Sequence, residues 1–310
     1  MTETLSQALE DAWPTVVHSY QNHLLDSTRW HHYRPREGDI VIATSYNAGT
    51  TWMHAIVAHL VLGALPSQGI GALSPWLERR GNPIDEVIER LEAQQHRRFI
   101  KTHLALDSLP FCPQVKYVVV GRDARDVFMS LWNHHSNYQE GFLEWCNALP
   151  GRIGPPLPPA QDLHSFWRDW MTKGWFDWES EGYPYWGNLH HSRTWWAHRS
   201  RDNILFVHFN DLLADLKGEI RRVAGFLKVV CSEERLEAIT QEVGFVAMKA
   251  NAQSLLPGVD EAWKGGAQTF LFNGSNGRWR VVLSPDELEL YEKKAAELLT
   301  PDCRAWIEGQ

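Results

Sequence analysis

The fold turns on Asp39 to Leu62, DIVIATSYNAGTTWMHAIVAHLVL. Its β-branched apolar run, Ile40-Val41-Ile42, is long enough for one buried strand. Small and polar residues follow through Ala48, then Gly49-Thr50-Thr51-Trp52, then a stretch with Ile56, Val57, Leu60 and Val61 at helical spacing. A strand, a tight turn and a helix start aim several backbone N–H groups and the positive end of a helix dipole at one point. Such a point suits phosphate-like anions. Gly49 allows close backbone approach, and Thr50 and Thr51 offer hydroxyl donors. The stretch is not a Walker A loop, which needs Lys where this chain has Thr50 and Gly where it has Thr44. A plain strand–helix turn is the competing reading, so the downstream chain must decide.

Working outward, three more strand-like runs appear: Arg98 to Ile100, Val115 to Val120 and Asn203 to His208. Helical periodicity lies between and after them, over Ile84 to Gln95, Asp211 to Val229 and Glu233 to Val243. A last helix opens at Ser284-Pro285-Asp286-Glu287, an N-cap with proline and acidic residues in the first turn, and runs through Leu299. Alternating strands and helices argue an α/β domain. Residues 1–38 read as a short amphipathic helix followed by the polar TRWHHYRPREGD. Gly151 to Pro159, GRIGPPLPP, is too stiff for an element and reads as a loop or lid within a single domain spanning 1–310, with its core over about 39–299. Just past the second strand comes Lys101-Thr102-His103-Leu104, and His103 sits where open α/β sheets place their chemistry; a simple loop histidine is the alternative. Arg122, at the third strand's exit, and Ser130, two turns into the next helix, are placed to meet one phosphate. Pairing of Arg122 with Asp123 or Asp126 competes.

The net charge of −8 argues against a general nucleic-acid binder. No apolar run reaches the ~18 residues of a membrane span, and the acidic N-terminus lacks a signal-peptide core. Cys112, Cys146, Cys231 and Cys303 form no CxxC pair, which suits reduced thiols in a cytoplasmic protein. No metal constellation is evident, since the adjacent His31-His32 seldom chelate one ion and read as surface. His190-His191 also read as surface. Many of the 16 tryptophans fall between Trp132 and Trp196, marking an aromatic-walled pocket or a core. His134, His135 and Tyr138 would line the acceptor side of such a pocket.

Four ordered segments resemble the cytosolic-type sulfotransferase family, over about Asp39 to Leu299. The family loop PKSGTTW corresponds to Tyr46-Asn47-Ala48-Gly49-Thr50-Thr51-Trp52, and KTHLP to Lys101-Thr102-His103-Leu104-Ala105. RNxxDVxxS corresponds to Arg122 through Ser130, and SFxxMKxN to Gly244 through Asn251. The resemblance implies a P-loop-like three-layer fold with a central, mostly parallel sheet flanked by helices. It implies transfer of a sulfuryl group from 3′-phosphoadenosine 5′-phosphosulfate (PAPS), without metal, to a hydroxyl of a small apolar or aromatic acceptor. Implied roles follow residue by residue. Ala48, Gly49, Thr50 and Thr51 form the 5′-phosphate loop, and Trp52, Phe209, Phe245 and Met248 surround the nucleoside. Arg122 and Ser130 hold the 3′-phosphate, with Asn273 and Gly274 nearby, and His103 is the general base.

The departures are specific. Asn47 stands where the family has a lysine at the leaving oxygen, leaving Lys101 to supply charge there. RKGxxGxW appears as Phe272-Asn273-Gly274-Ser275-Asn276-Gly277-Arg278-Trp279, so two cations are missing and Arg278 is the candidate replacement. Phe209 replaces a usual tyrosine. A homodimer stays open, because the family's KxxxTVxxxE motif is only partly echoed by Arg280 to Glu289, with Pro285 where valine is usual. The competing functions are a PAPS- or PAP-binding module that has lost catalysis and, less favoured, a P-loop-like small-molecule kinase.

Overall fold

The computed structural model describes residues 12–65 and 69–310. Four strands, β1 (Ile40–Thr44), β2 (Phe99–Thr102), β3 (Lys116–Gly121) and β4 (Ile204–His208), form one sheet in the order β2-β1-β3-β4. All pairings are parallel: Ile40 aligns with Phe99 on one side and with Lys116 on the other, and Tyr117 aligns with Ile204. Between and after the strands lie α1 (Thr50–Leu62), α2 (Ile84–Ala93), α3 (Ala124–Ser136), α4 (Glu140–Ala148), α5 (Leu163–Thr172), α6 (Asn188–Trp196), α7 (Phe209–Ala214), α8 (Leu216–Phe226), α9 (Glu233–Glu242), α10 (Phe245–Ala250) and α11 (Pro285–Leu298).

Alternate strand side chains enter different cores because successive Cβ atoms point to opposite sheet faces. Ile40, Ile42, Val118 and Val120 pack with α1, α8 and α9, whereas Val41, Ala43, Tyr117 and Val119 pack with α3, α5 and α6. Both faces are therefore covered, which is why β1 is buried along its whole length and reads as a continuous apolar run. The result is the three-layer α/β arrangement expected. The chain leaves β1 for β2 on one flank and then crosses to β3 on the other. The C-terminal end of β1 is thus a topological switch point, where open α/β sheets open a crevice.

Several expectations are corrected. The helix expected over Asp211 to Val229 is broken at Asp215, whose carboxylate accepts the Gly218 N–H at 2.9 Å and starts α8 afresh. The N-terminal amphipathic helix falls partly outside the described residues, and no helix occurs from 12 to 26. Residues 151–159 do form a loop, but Leu157 is buried in the core and its N–H and carbonyl bond the Asn147 amide at 2.7 and 3.0 Å. None of those residues lines the cavity described below. His190 and His191 are buried, not surface, because α6 packs inward and His190 Nε2 meets the Asp107 carboxylate at 2.8 Å. Trp167, Trp170, Trp186 and Trp195 are fully buried, so much of the tryptophan-rich region is core. The helix at Ser284 begins as expected, with Ser284 and Glu287 in a reciprocal capping box, but it is not the last, because a further helix follows over Pro301–Ile307.

Candidate active site

A cavity of about 540 Å³ opens at the C-terminal end of β1. Its floor is the turn leading into α1. Gly49 caps this helix with φ +103°, and a Cβ there would come within 3.0 Å of the Phe209 ring. The first helical bond runs from the Met53 N–H to the Gly49 carbonyl at 3.0 Å. The N–H groups of Thr50, Thr51 and Trp52 precede it, and no side chain caps them. They are donors without an internal acceptor at the positive end of a helix. Asn47 holds a left-handed φ of +50°, a conformation that asparagine tolerates better than most residues.

His103 follows β2 directly and is 6% exposed. Its Nδ1 lies 2.8 Å from the Thr44 carbonyl oxygen. A carbonyl only accepts, so Nδ1 carries the proton and Nε2 is the acceptor of the neutral ring. The ring stands perpendicular to Trp76 at 4.9 Å and lies 5.9 Å from Trp186. Burial and the Lys101 charge hold its pKa well below the ordinary value. Behind it, the buried Glu78 carboxylate accepts from the His103 N–H at 2.7 Å, the Thr102 hydroxyl at 3.0 Å and the Trp30 indole at 2.8 Å. Lys101 Nζ rests 4.1 Å from the centroid of the Trp76 ring. Burial, reinforced by Arg79, brings its pKa down to about 8.

At the other end of the cavity Arg122 is stacked on Phe209 at 4.2 Å. Its guanidinium donates to the Asn276 side chain at 2.9 Å, the Asn47 carbonyl at 2.9 Å and the Ser275 carbonyl at 3.1 Å. It therefore ties the β1–α1 turn to the 275–277 turn with three of its five N–H groups. Asp126 fastens the same turn by accepting the Gly277 N–H at 2.7 Å. Trp52, Ser130, Phe245, Met248, Asn273, Gly274 and Arg278 also line this end. Gly274, at φ +59°, lies where a Cβ would fall 2.4 Å from Phe245. Arg278 rests on Phe272 at 4.9 Å, close to where the two cations are missing.

The structure thus gathers Asn47, Gly49, Thr50, Thr51, Trp52, Lys101, His103, Arg122, Ser130, Phe209, Phe245, Met248, Asn273 and Gly274 around one cavity, with His134 and Tyr138 on its far wall. Two residues stand apart. Ala48 is buried in the core beneath the turn, and its side chain does not line the cavity. His135 points inward from α3, stacks on Phe166 at 5.0 Å and lies 2.8 Å from the Tyr185 hydroxyl; it too is absent from the wall. Burial lowers its pKa to about 4. His134 reaches the cavity, and its Nε2 donates to the Phe270 carbonyl at 3.2 Å. Sequence reasoning missed Trp76, Glu78 and Arg79, which precede β2 in SPWLERR. Glu78 stands between Leu77 and Arg79-Arg80, a charged stretch that carries no periodicity to flag it. The Trp76 segment joins the site because the Lys101 N–H bonds the Pro75 carbonyl at 3.1 Å.

The sulfotransferase domain family matches residues 37–300. The chain belongs to that family. It is accordingly a PAPS-dependent sulfotransferase, as the four sequence motifs implied. It is 32% identical to a glycolipid sulfotransferase of Mycobacterium tuberculosis over 307 residues, covering 94% of each chain. To mouse sulfotransferase 2B1 it is 28% identical over 268 residues, covering 83% of this sulfotransferase and 70% of the mouse protein. In architecture it is similar to the crystal structure of mouse sulfotransferase SULT7A1 complexed with PAP, with a TM-score of 0.68, 18% identity and 92% of each chain covered. Among the described residues, no helix of this sulfotransferase is long and apolar enough to cross a membrane.

Proposed function

We propose that this sulfotransferase moves the sulfuryl group of PAPS to a hydroxyl of a small, apolar or aromatic acceptor, with His103 as general base. The observation that carries the reading is one cavity holding both an anion cradle and a neutral histidine whose Nδ1–H is committed to Thr44. The residues present fit the nucleotide. Three uncapped N–H groups at α1 suit a 5′-phosphate. The Trp52, Phe209 and Phe245 rings suit a base, and Trp52 Nε1 is buried without a partner. Arg278 and the two unused N–H groups of Arg122 suit a second phosphate.

When bound, PAPS supplies the sulfuryl group and a phosphate leaving group. Within the chain, His103 Nε2 accepts the proton of an acceptor hydroxyl held beside Trp76 and Trp186. Burial makes the imidazolium costly; a neighbouring anion offsets that cost and brings the base toward a useful pKa. Lys101, held over Trp76, supplies the positive charge that Asn47 lacks. Thr50, Thr51 and the α1 N–H groups orient the 5′-phosphate, and the Arg122 fork keeps the two turns around it in register.

The acceptor class follows from the wall opposite the cradle. Trp76, Phe142, Trp186 and Trp263 give aromatic surface there, which suits an aryl or alkyl alcohol more than a polyanionic sugar chain. The mycobacterial relative's name includes glycolipids, so an apolar glycolipid belongs in the same acceptor screen. The test is calorimetric titration of the wild type with 3′-phosphoadenosine 5′-phosphate (PAP), then a PAPS-dependent screen of phenols, alcohols and glycolipids. Micromolar PAP binding with sulfation of an apolar acceptor is expected. PAP binding without turnover of any acceptor would favour a module that binds the nucleotide and performs no transfer.

A further inference from the structure

Arg79 lies in the wall of the cavity away from the nucleotide cradle, among Tyr138, Phe142 and the ring of Trp145, over which its guanidinium sits at 5.4 Å. Among the described residues its side chain has no carboxylate or carbonyl partner, and its Nε is buried without an acceptor. Among the described residues the two buried arginines are satisfied, Arg98 by Asp39 and Glu92 and Arg122 by its three acceptors, and the half-buried Arg125 pairs with Asp123. Glu78, the neighbour in sequence that might have served as counterion, is turned the other way and fully engaged with Trp30, Thr102 and the His103 N–H. Arg79 is half-buried, and with only its Nε enclosed its guanidinium offers N–H donors to whatever anion enters the cavity.

The other charged residues of the wall have roles elsewhere. Lys101 sits against Trp76 beside His103, whereas Arg122, Asp126 and Arg278 surround the opposite end. His103 and Arg79 line the same cavity, so one bound molecule can place a hydroxyl at His103 and a second group at Arg79. The flat fork of a guanidinium matches a carboxylate with two parallel hydrogen bonds.

We infer that the acceptor is a hydroxylated aromatic acid, its ring among the aromatic walls, its hydroxyl at His103 and its carboxylate on the Arg79 guanidinium. This rests on the sulfuryl-transfer reading for the role of the hydroxyl, whereas the carboxylate subsite can be measured without turnover. Arg79 is then a specificity residue that selects an anionic acceptor over a neutral one of the same shape.

The probes are 3-(4-hydroxyphenyl)propanoate and 4-hydroxyphenylacetate, each against its methyl ester, titrated by calorimetry into wild type, Arg79→Gln and Arg79→Lys, with and without saturating PAP. The inference expects at least one acid to bind wild type tenfold or more tighter than its ester. It expects that ratio to collapse to within about twofold in Arg79→Gln and to survive in part in Arg79→Lys. Esters binding wild type as well as the acids, no binding by any probe, or an acid preference that persists in Arg79→Gln would each overturn it. PAP titration of the same proteins scores the other reading separately. An intact acid preference in a wild type that binds no PAP would sink sulfuryl transfer while leaving the carboxylate subsite standing. Intact PAP binding with sulfation of the esters alone would do the reverse.

Discussion

His103 and Thr44 are joined twice: the ring Nδ1 lies 2.8 Å from the Thr44 carbonyl oxygen and 3.0 Å from the Thr44 hydroxyl. The carbonyl belongs to the last residue of β1, so the strand that ends at the anion cradle also fixes the tautomer of the base. Because the main chain decides which nitrogen carries the proton, the hydroxyl is secondary. Thr44→Val, nearly isosteric at this fully buried position, is expected to lower kcat by less than about tenfold. Loss of a general base costs about 10²–10⁴-fold. Steady-state kinetics on Thr44→Val compares the two directly. A loss as large as that of removing the ring would assign tautomer control to the side chain instead.

The pH dependence has a worked sign at each end. His103 is held well below its ordinary value by burial and Lys101, so it stays neutral as pH falls from 7 and the acid limb of kcat/KM lies below 6.5. Lys101 is lowered to about 8 by burial and by Arg79. It therefore loses its charge as pH rises through about 8, and kcat/KM should decline there. In Lys101→Met that alkaline limb should vanish, on a lower plateau. An unchanged limb in this variant would assign the decline to another group.

Asn47 offers a gain of function with a structural cost. A lysine there restores a cation at the turn, and a charge-assisted hydrogen bond contributes about 1.5–3 kcal/mol. The same position holds a left-handed φ of +50°, which residues other than Gly, Asn and Asp adopt at a cost of about 1–2 kcal/mol. Asn47→Lys should bind PAP more tightly than wild type by calorimetry, yet melt at a lower temperature without ligand. Weaker PAP binding by the variant would mean that the turn, not the missing charge, limits affinity.

Glu78 is a positioning residue. It holds the His103 N–H, the Thr102 hydroxyl and the Trp30 indole at once, and its burial raises its pKa. Glu78→Ala leaves three buried donors without an acceptor, each costing about 1–3 kcal/mol. Glu78→Gln keeps one acceptor oxygen and is the milder test. In the Gln variant kcat should fall while KM for PAPS holds, because the base is displaced and the cradle is not. A rise in KM with unchanged kcat would remove Glu78 from the support of His103.

Much of this was legible in the chain because the signals are local. The run Ile40-Val41-Ile42 is apolar throughout because both faces of β1 are covered, and the Gly49-Thr50-Thr51 turn follows it without interruption. Ser284 and Glu287 announce their helix at a fixed spacing. What the sequence hid depends on distant packing. His135 and His134 are neighbours on α3, and only their directions decide that one reaches the cavity while the other stacks on Phe166. His190 and His191 read as polar surface but are drawn inside by Asp107 and the packing of α6. Glu78 and Arg79, adjacent in sequence, have opposite surroundings: Glu78 is bonded to three donors, whereas Arg79 lies over Trp145 with no hydrogen-bond acceptor for its Nε among the described residues.

The most direct test of the central claim follows label from PAPS carrying a radioactive sulfuryl group into a phenol or hydroxyaryl acid, by wild type and His103→Ala side by side, with PAP affinity measured for both. The account predicts transfer by wild type, a loss of at least about 10²-fold in His103→Ala and PAP affinities that agree within a few-fold. Label transfer by His103→Ala at the wild-type rate would contradict it.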